Sequence, residues 1–138
     1  MCRANIQDFC TKFTILEETQ MNNQLCTCVC KFILQLKCPD GYTGYYYLRD
    51  GLCRMLKHNV DPCSLTKSIY LFLAKKYKTD WANVERCVRN FIAKWWAATK
   101  CGGVFEIRPT NRQMFAKCAE LIRIEFCDTL CLQEESYE

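Results

Sequence analysis

The chain has 138 residues, half of them hydrophobic and a quarter charged, with a formal net charge of +4. This length supports a hydrophobic core without disulfide or metal staples, and the composition is typical of a globular chain and excludes a disordered one. The longest apolar run, 69–74, is far shorter than the roughly 20 residues that cross a bilayer. The first ten residues lack a signal-peptide core. We therefore expect one cytoplasmic domain over 1–138, with no membrane partner.

The first half of the chain predicts an N-terminal extension and two helices. The extension covers 1–20, and apolar residues recur with helical spacing over about 21–37, before the turn residues Cys38-Pro39-Asp40-Gly41. The tyrosines at 45–47 favour a strand by propensity. The apolar positions around and after them have helical spacing, however, and predict a second helix.

Two further helices are predicted on either side of a short turn. Pro62 after Asp61 is typical of a helix start, and Thr79 is predicted to cap the following helix, over 80–97, which ends before Gly102-Gly103. A connection of only three or four residues makes 62–98 a candidate helix-turn-helix region.

The last part of the chain predicts one more helix and an acidic tail. The segment GVFEI, 103–107, suggests a short extended piece, and Thr110 with Gln113 has the form of a capping box. Residues 126–138 contain acidic residues and no Lys or Arg. Together these elements predict an all-α, compact bundle of about five to six helices.

Positive charge is concentrated around the candidate helix-turn-helix. From Ser64 to Lys100 there are eight Lys and Arg residues against two Asp and Glu, a net +6, which leaves −2 for the rest of the chain. A basic segment in an otherwise slightly acidic chain indicates an anionic partner at that segment.

The predicted helix 80–97 has an apolar stripe and an opposite polar face. At about 100° per residue, the stripe consists of Trp81, Val84, Val88, Phe91 and Trp95. The opposite face contains Ala82, Asn83, Arg86, Arg89 and Asn90, with Glu85 at its flank. The alternative to a binding face is an ordinary solvated helix face, and the residues alone leave both open.

The polar face has the chemistry of direct base readout in the major groove of double-stranded DNA. Arginine donates two hydrogen bonds to guanine, asparagine bonds bidentately to adenine, and glutamate accepts from cytosine. We therefore predict Asn83, Glu85, Arg86, Arg89 and Asn90 as base-contacting residues. Phosphate contacts are predicted for the neighbouring basic and hydroxyl side chains, Lys75, Lys76, Lys78 and Thr79.

Three segments carry a resemblance to a known family. In order, GYYYLRDGL, SLTKSIYLFLAKKYKTDWANVERCVRNFIAKWW and RPTNRQMFAKCAELIRIE resemble the C-terminal DNA-binding domain of stage zero sporulation protein A, over roughly Cys26 to Glu125. The resemblance implies a helical bundle with an embedded helix-turn-helix, which binds DNA boxes as tandem protomers. It also implies that Glu85, Arg86 and Arg89 contact bases.

Three departures from that family are visible. Asn83 stands where the family usually has Arg, and Asn90 stands where it usually has His. The family has a longer segment before RPTN, used to contact the RNA polymerase sigma subunit, where this chain has only TKCGGVFEI. We also expect this protein to lack the receiver domain of full-length members, and with it a phosphorylation switch within this chain.

Thirteen cysteines suggest thiol or metal chemistry, but their spacing does not support it. The chain has no C-x-x-C pair and one histidine, His58. On a helix, Cys26 and Cys30 share a face while Cys28 points nearly opposite, so the three cannot converge on zinc. We expect most cysteines to act as small core hydrophobes, with Cys127 and Cys131 weak candidates for pairing. We predict no metal, no cofactor and no catalytic residues.

Three functional hypotheses follow. The first is a sequence-specific DNA-binding transcriptional regulator, cytoplasmic and related to sporulation control, acting as a homodimer or as tandem protomers on DNA. The second is a protein-interaction module that pairs with or antagonises a full-length sporulation-type regulator. The third is a thiol or metal sensor, motivated only by the cysteines. An enzyme is the reading with least support, because no Gly-rich phosphate loop or paired-carboxylate site is visible.

Overall fold

The computed structural model describes residues 23–39, 41–99 and 104–125, which form helices joined by turns with no strand among them. The helices are α1, which includes 23–35, α2 (Thr43–His58), α3 (Leu71–Lys76), α4 (Trp81–Thr99) and α5 (Asn111–Glu125). The predicted all-α class is confirmed. The predicted extension 1–20 and acidic tail 126–138 lie outside the described residues. In the described ranges, no helix is both long enough and apolar enough to span a membrane.

Helices α2 and α4 pack against each other at a glycine. A Cβ added to Gly44 would lie 2.5 Å from Phe91 Cβ and closer still to the main-chain oxygen of Cys87. Any side chain at Gly44 would therefore push the two helices apart. Nearer the C-terminus of α4, Trp95 donates a buried hydrogen bond of 2.9 Å from Nε1 to the main-chain oxygen of Leu36, which ties α4 to the end of α1.

The predicted apolar stripe of α4 is confirmed at four of its five positions. Val84, Val88, Phe91 and Trp95 are at most 1 % exposed. The prediction is wrong for Trp81, whose exposed fraction is 48 %. Trp81 is the first residue of α4 and lies at the edge of the stripe, where the described helices leave its side chain about half exposed.

The helical region after Pro62 is less regular than predicted. Asp61 Oδ1 accepts a 3.0 Å hydrogen bond from the Cys63 main-chain nitrogen, which confirms the predicted start. One continuous helix was expected, but a 3₁₀ turn over Pro62–Ser64 is followed by a π-helical segment, Thr66–Tyr70, and then by α3. The wider π-helical turn is compatible with the burial of the adjacent residues Ile69 and Tyr70, which are 0 % and 3 % exposed.

The predicted N-cap of α4 is displaced by one residue. Asp80 Oδ1 accepts a 2.7 Å hydrogen bond from the main-chain nitrogen of Asn83, so Asp80 is the cap and Thr79 is not. Both types can cap, and the helix begins at Trp81 because the aspartate carboxylate reaches the nitrogen three residues on. The negative charge of Asp80 also interacts favourably with the helix dipole.

The segment before α5 differs from prediction, whereas the start of α5 agrees with it. Residues 104–107 form a turn and bends rather than an extended strand. The reason is that Phe105 turns inward, where its ring meets the Trp95 ring edge-on at 6.1 Å. The capping box is confirmed, because Thr110 N donates to Gln113 Oε1 at 3.0 Å and Gln113 N donates to Thr110 Oγ1 at 3.2 Å.

Candidate nucleic-acid interface

A four-residue turn, 77–80, joins α3 to α4, which confirms the predicted short connection. Thr79 N donates a 2.9 Å hydrogen bond to the Ala74 main-chain oxygen, and Lys78 has a left-handed backbone with φ of 55°. This combination closes the C-terminus of a helix in the way a Schellman motif does. The turn therefore sets the direction in which α4 leaves α3.

A buried carboxylate on α2 holds this turn in place. Asp50 is 9 % exposed and accepts hydrogen bonds from Arg49 Nε at 3.0 Å, from Lys76 Nζ at 2.9 Å and from the Tyr77 hydroxyl. Burial raises the pKa of Asp50, but the bonds from Tyr77, Lys76 and Arg49 outweigh it, so the pKa lies below its ordinary value. Asp50 is thus an ionised anchor for the end of α3.

This anchor was not predicted, because helical spacing gives no signal for it. At about 100° per residue, Asp50 falls about 160° from Leu48, on the side of α2 that holds Arg54 and Lys57. Asp50 is nevertheless buried, because the end of α3 covers it with Lys76 and Tyr77. The spacing within α2 does not reveal that contact.

The predicted base-contacting residues meet at the N-terminal half of α4. A shallow concave surface there is lined by Thr79, Asp80, Ala82, Asn83, Glu85, Arg86 and Arg89. Arg86 and Arg89 are exposed, while Asn83 and Glu85 are half-buried. Asn90 is exposed on the same helix but does not line this surface. We refer to Asn83, Glu85, Arg86, Arg89 and Asn90 as the polar face of α4.

Hydrogen bonds orient the side chains of the polar face. Asn83 accepts from Arg86 Nη2 at 2.6 Å and donates from Nδ2 to Thr79 Oγ1 at 2.9 Å. One turn further on, Arg89 Nη1 lies 3.1 Å from Glu85 Oε1 as an i,i+4 ion pair. Both guanidinium groups are therefore positioned by acceptors on their own helix, and a ligand has to share or replace those acceptors.

The predicted phosphate-contacting residues are not equivalent. Lys75 and Lys78 are exposed on either side of the end of α3. Lys76 is engaged with Asp50 as described, and the Thr79 hydroxyl is bonded by Asn83. Lys75 and Lys78 are therefore the two lysines whose ammonium groups are best placed for an external anion.

Asn111 connects α5 to the polar face and was not singled out from the sequence. Its side-chain nitrogen donates to the Glu85 main-chain oxygen at 3.0 Å and to the Tyr70 hydroxyl at 3.1 Å. This single amide therefore ties the start of α5 to α4 and to the π-helical turn. Nothing in the RPTN segment specifies these partners, which lie 26 and 41 residues away along the chain.

The cysteines behave mainly as predicted. Of the eight described, all unpaired, two are buried in the core and three more pack against it: Cys28, Cys118, Cys38, Cys53 and Cys87. Burial raises the pKa of both Cys38 and Cys53 to about 12. Within the described ranges, no three His, Cys, Asp or Glu residues come together as a metal site. Cys127 and Cys131 lie outside those ranges.

An all-α fold that exposes a hydrogen-bonding, arginine-containing helix face beside two free lysines is typical of a helical DNA-binding domain. Residues 29–122 match the family model described as sporulation initiation factor Spo0A C terminal. The chain belongs to this family, and the predicted resemblance is confirmed. The family is one of DNA-binding effector domains of a sporulation regulator rather than of enzymes.

Proposed function

We propose that this protein is a sequence-specific transcriptional regulator that inserts the N-terminal half of α4 into the major groove of DNA. The observation that supports this most is the polar face, where Asn83, Glu85, Arg86 and Arg89 share one side of a helix with the small Ala82. The alanine lets the helix backbone approach the base edges. The opposite side of α4 is anchored in the core by Val84, Val88, Phe91 and Trp95, so the polar face has a fixed orientation.

In this proposal, the residues of the polar face act in pairs. Arg86 and Arg89 each present a planar fork to guanine O6 and N7, while Asn83 and Glu85 hold the forks in position and offer oxygens to a neighbouring base amino group. Holding a side chain in its binding geometry reduces the entropy lost on association. Asn90 would extend the contact by one turn.

Phosphate contacts would set the register of α4 on the duplex. Lys75 lies in the last turn of α3 and Lys78 in the turn before α4, and both are proposed to bind phosphates on either side of the groove. Such contacts give affinity without sequence preference and weaken as salt rises. Lys76 contributes mainly by holding the turn through Asp50, and Thr79 by orienting Asn83.

Fluorescence anisotropy against two duplexes tests the proposal. One duplex carries two tandem boxes of the type the family binds and the other a scrambled sequence, and both are titrated at several salt concentrations. We expect the box duplex to bind at least about 10³-fold more tightly. The control variant is Lys117→Ala, which removes one positive charge outside the polar face. It should leave the ratio of the affinities for the two duplexes unchanged. Equal, salt-sensitive binding of both duplexes would refute sequence-specific recognition.

A second candidate function is an interaction module that pairs with or antagonises a full-length sporulation-type regulator. It is favoured by the short connection before α5, where residues 104–110 contain no helix. Such a chain could occupy DNA boxes, or one position of a tandem pair, without contacting the transcription machinery. Sedimentation of a mixture with a full-length regulator, with and without the box duplex, separates the two candidates. A complex formed without DNA supports this second function.

A further inference from the structure

A second concave surface, which shares no lining residue with the first, combines positive charge with exposed apolar side chains. It is formed by the C-terminal half of α2 and by the π-helical segment and α3. The lining residues that matter here are Arg54, His58, Lys67, Leu71, Phe72 and Lys75. We refer to these six as the basic groove.

The basic groove has positive charges without acidic neighbours in its lining, and part of its apolar surface is exposed to water. None of the described residues that line it is acidic. Leu71 is 50 % exposed, and the Arg54 guanidinium lies 4.1 Å from the centre of the Phe72 ring. A half-exposed leucine among cations costs free energy in water. A chain segment with both acidic and large apolar side chains would remove that cost and pair the cations.

The C-terminal tail of this chain has that composition. Residues 126–138 include Phe126, Leu130 and Leu132 with four acidic residues and no Lys or Arg. The acidic residues are Asp128, Glu134, Glu135 and Glu138. Apolar residues come first and most acidic ones last, so the segment would meet the groove with both kinds of contact.

The last turn of α5, which directly precedes the tail in the sequence, lies beside the groove. Arg123, in the last turn of α5, donates a 3.2 Å hydrogen bond from Nη2 to Asn59 Oδ1. Asn59 directly follows His58, which lines the groove, at the end of α2. Thirteen residues extend over as much as about 40 Å at 3.3 Å per residue, so the tail needs only part of its length to cover the groove.

We propose that residues 126–138 dock in the basic groove of the same chain, with leucines against Leu71 and Phe72 and carboxylates against Lys67 and Lys75. The docking itself does not depend on DNA binding. If α4 does bind DNA, docking covers Lys75, one of the two lysines proposed for phosphate contact. The tail would then lower the affinity for DNA of any sequence and leave the preference for one sequence unchanged.

Photo-crosslinking in the full chain tests this docking. Benzoylphenylalanine is placed at position 71, the chain is irradiated, and the cross-linked peptides are identified by mass spectrometry. We expect them to join position 71 to residues 126–138. The same group at position 34 of α1, where Leu34 is 71 % exposed, is the control and should not reach the tail.

A charge variant and an isotope mixture complete the experiment. Replacing Asp128, Glu134, Glu135 and Glu138 by their amides should reduce the cross-link yield several-fold, because the cations then lose their partners. Irradiating mixed ¹⁵N-labelled and unlabelled chains should give no mixed products. Cross-links to any other segment, a yield unchanged by neutralising the tail, or mixed-isotope products would each overturn intramolecular docking, the last in favour of a second copy.

Discussion

Arg86 Nη2 lies 2.6 Å from Asn83 Oδ1, so two residues predicted to contact bases are bonded to each other in the free protein. The resemblance predicts that Asn83 stands where the family has arginine. With an arginine there, two cations would face each other one turn apart, whereas the asparagine offers an acceptor. If this prediction holds, the departure changes how Arg86 is held as well as the chemistry of position 83.

Replacing the two residues separately and together should show that they are coupled. We expect Arg86→Ala to weaken binding of the box duplex by about 10- to 100-fold, which corresponds to the loss of a bidentate base contact. Asn83→Ala should have a smaller effect, and the double variant should lose less than the two single losses combined, since both disrupt one unit. Anisotropy titrations at fixed salt measure all three. Additive losses would show that the bond between the two has no role in binding.

Lys78 offers a way to separate stability from DNA affinity. Its φ of 55° lies in the left-handed region, where a side chain is disfavoured by about 1 kcal/mol and glycine is not. We expect Lys78→Gly to raise or preserve the free energy of unfolding while weakening DNA binding several-fold through a lost phosphate contact. Urea unfolding and anisotropy on the same preparation test this. The control, Lys78→Ala, should lose the contact without the gain in stability.

Asp50 should make the stability of the fold depend on acid. Its pKa in the folded protein is below its ordinary value, so the ionised carboxylate stabilises the fold above about pH 4, and this contribution disappears as the pH falls through the folded-state pKa. We expect Asp50→Asn to lower the free energy of unfolding at pH 7 by about 1–3 kcal/mol. The variant should also lose less stability than the parent between pH 5 and 3. Urea unfolding at each pH measures the free energy of unfolding of both proteins. The exposed control Glu120→Gln should leave the profile as it is.

The contact between α2 and α4 at Gly44 should not tolerate a methyl group. Because an added Cβ would lie 2.5 Å from Phe91 Cβ, Gly44→Ala should destabilise the protein by about 1–3 kcal/mol through overpacking, despite the higher helix propensity of alanine. Thermal unfolding followed by circular dichroism is the measurement. The neighbouring exposed residue allows a matched control, Thr43→Ala, which should change stability by less than about 0.5 kcal/mol. Equal melting temperatures for both variants would show that the helices are free to separate.

The thiols should react in an order set by burial. Cys63 is exposed, whereas Cys118 is fully buried and its pKa is raised by desolvation. We expect maleimide to modify Cys63 within the first phase and Cys118 only when the protein unfolds, as followed by mass spectrometry over time. Cys63→Ser should remove one equivalent from the first phase. If Cys118 reacts early, the core around α5 opens far more readily than its packing indicates.

Sequence periodicity predicted the helices and most of their packing. The positions of Val84, Val88, Phe91 and Trp95 recur with helical spacing, and such a stripe can be buried in only one way. The capping box of Thr110 and Gln113 was equally predictable, since both partners lie within four residues. Local chemistry decides such features, so a single sequence contains them.

Contacts between distant residues could not be predicted from the same patterns. Asp50 is 26 residues from Lys76, and Asn111 is 26 residues from Glu85; nothing in either local segment specifies the partner. The π-helical turn, Thr66–Tyr70, was missed for a related reason, because its burial depends on α4 and α2 packing beside it. Burial at helix ends, as for Trp81, likewise depends on where neighbouring helices stop.

The exposure of Trp81 gives the protein an optical probe of its own. The chain has three tryptophans. Trp95 is completely buried, Trp96 is half-buried, and Trp81 is 48 % exposed at the first position of α4, beside Asp80 and Ala82. Indole emission shifts to shorter wavelength when water is removed. A duplex bound to the N-terminal half of α4 should therefore change the long-wavelength edge of the emission spectrum, which arises from Trp81. The short-wavelength component from Trp95 should stay in place. Association with DNA can thus be followed on the unlabelled chain.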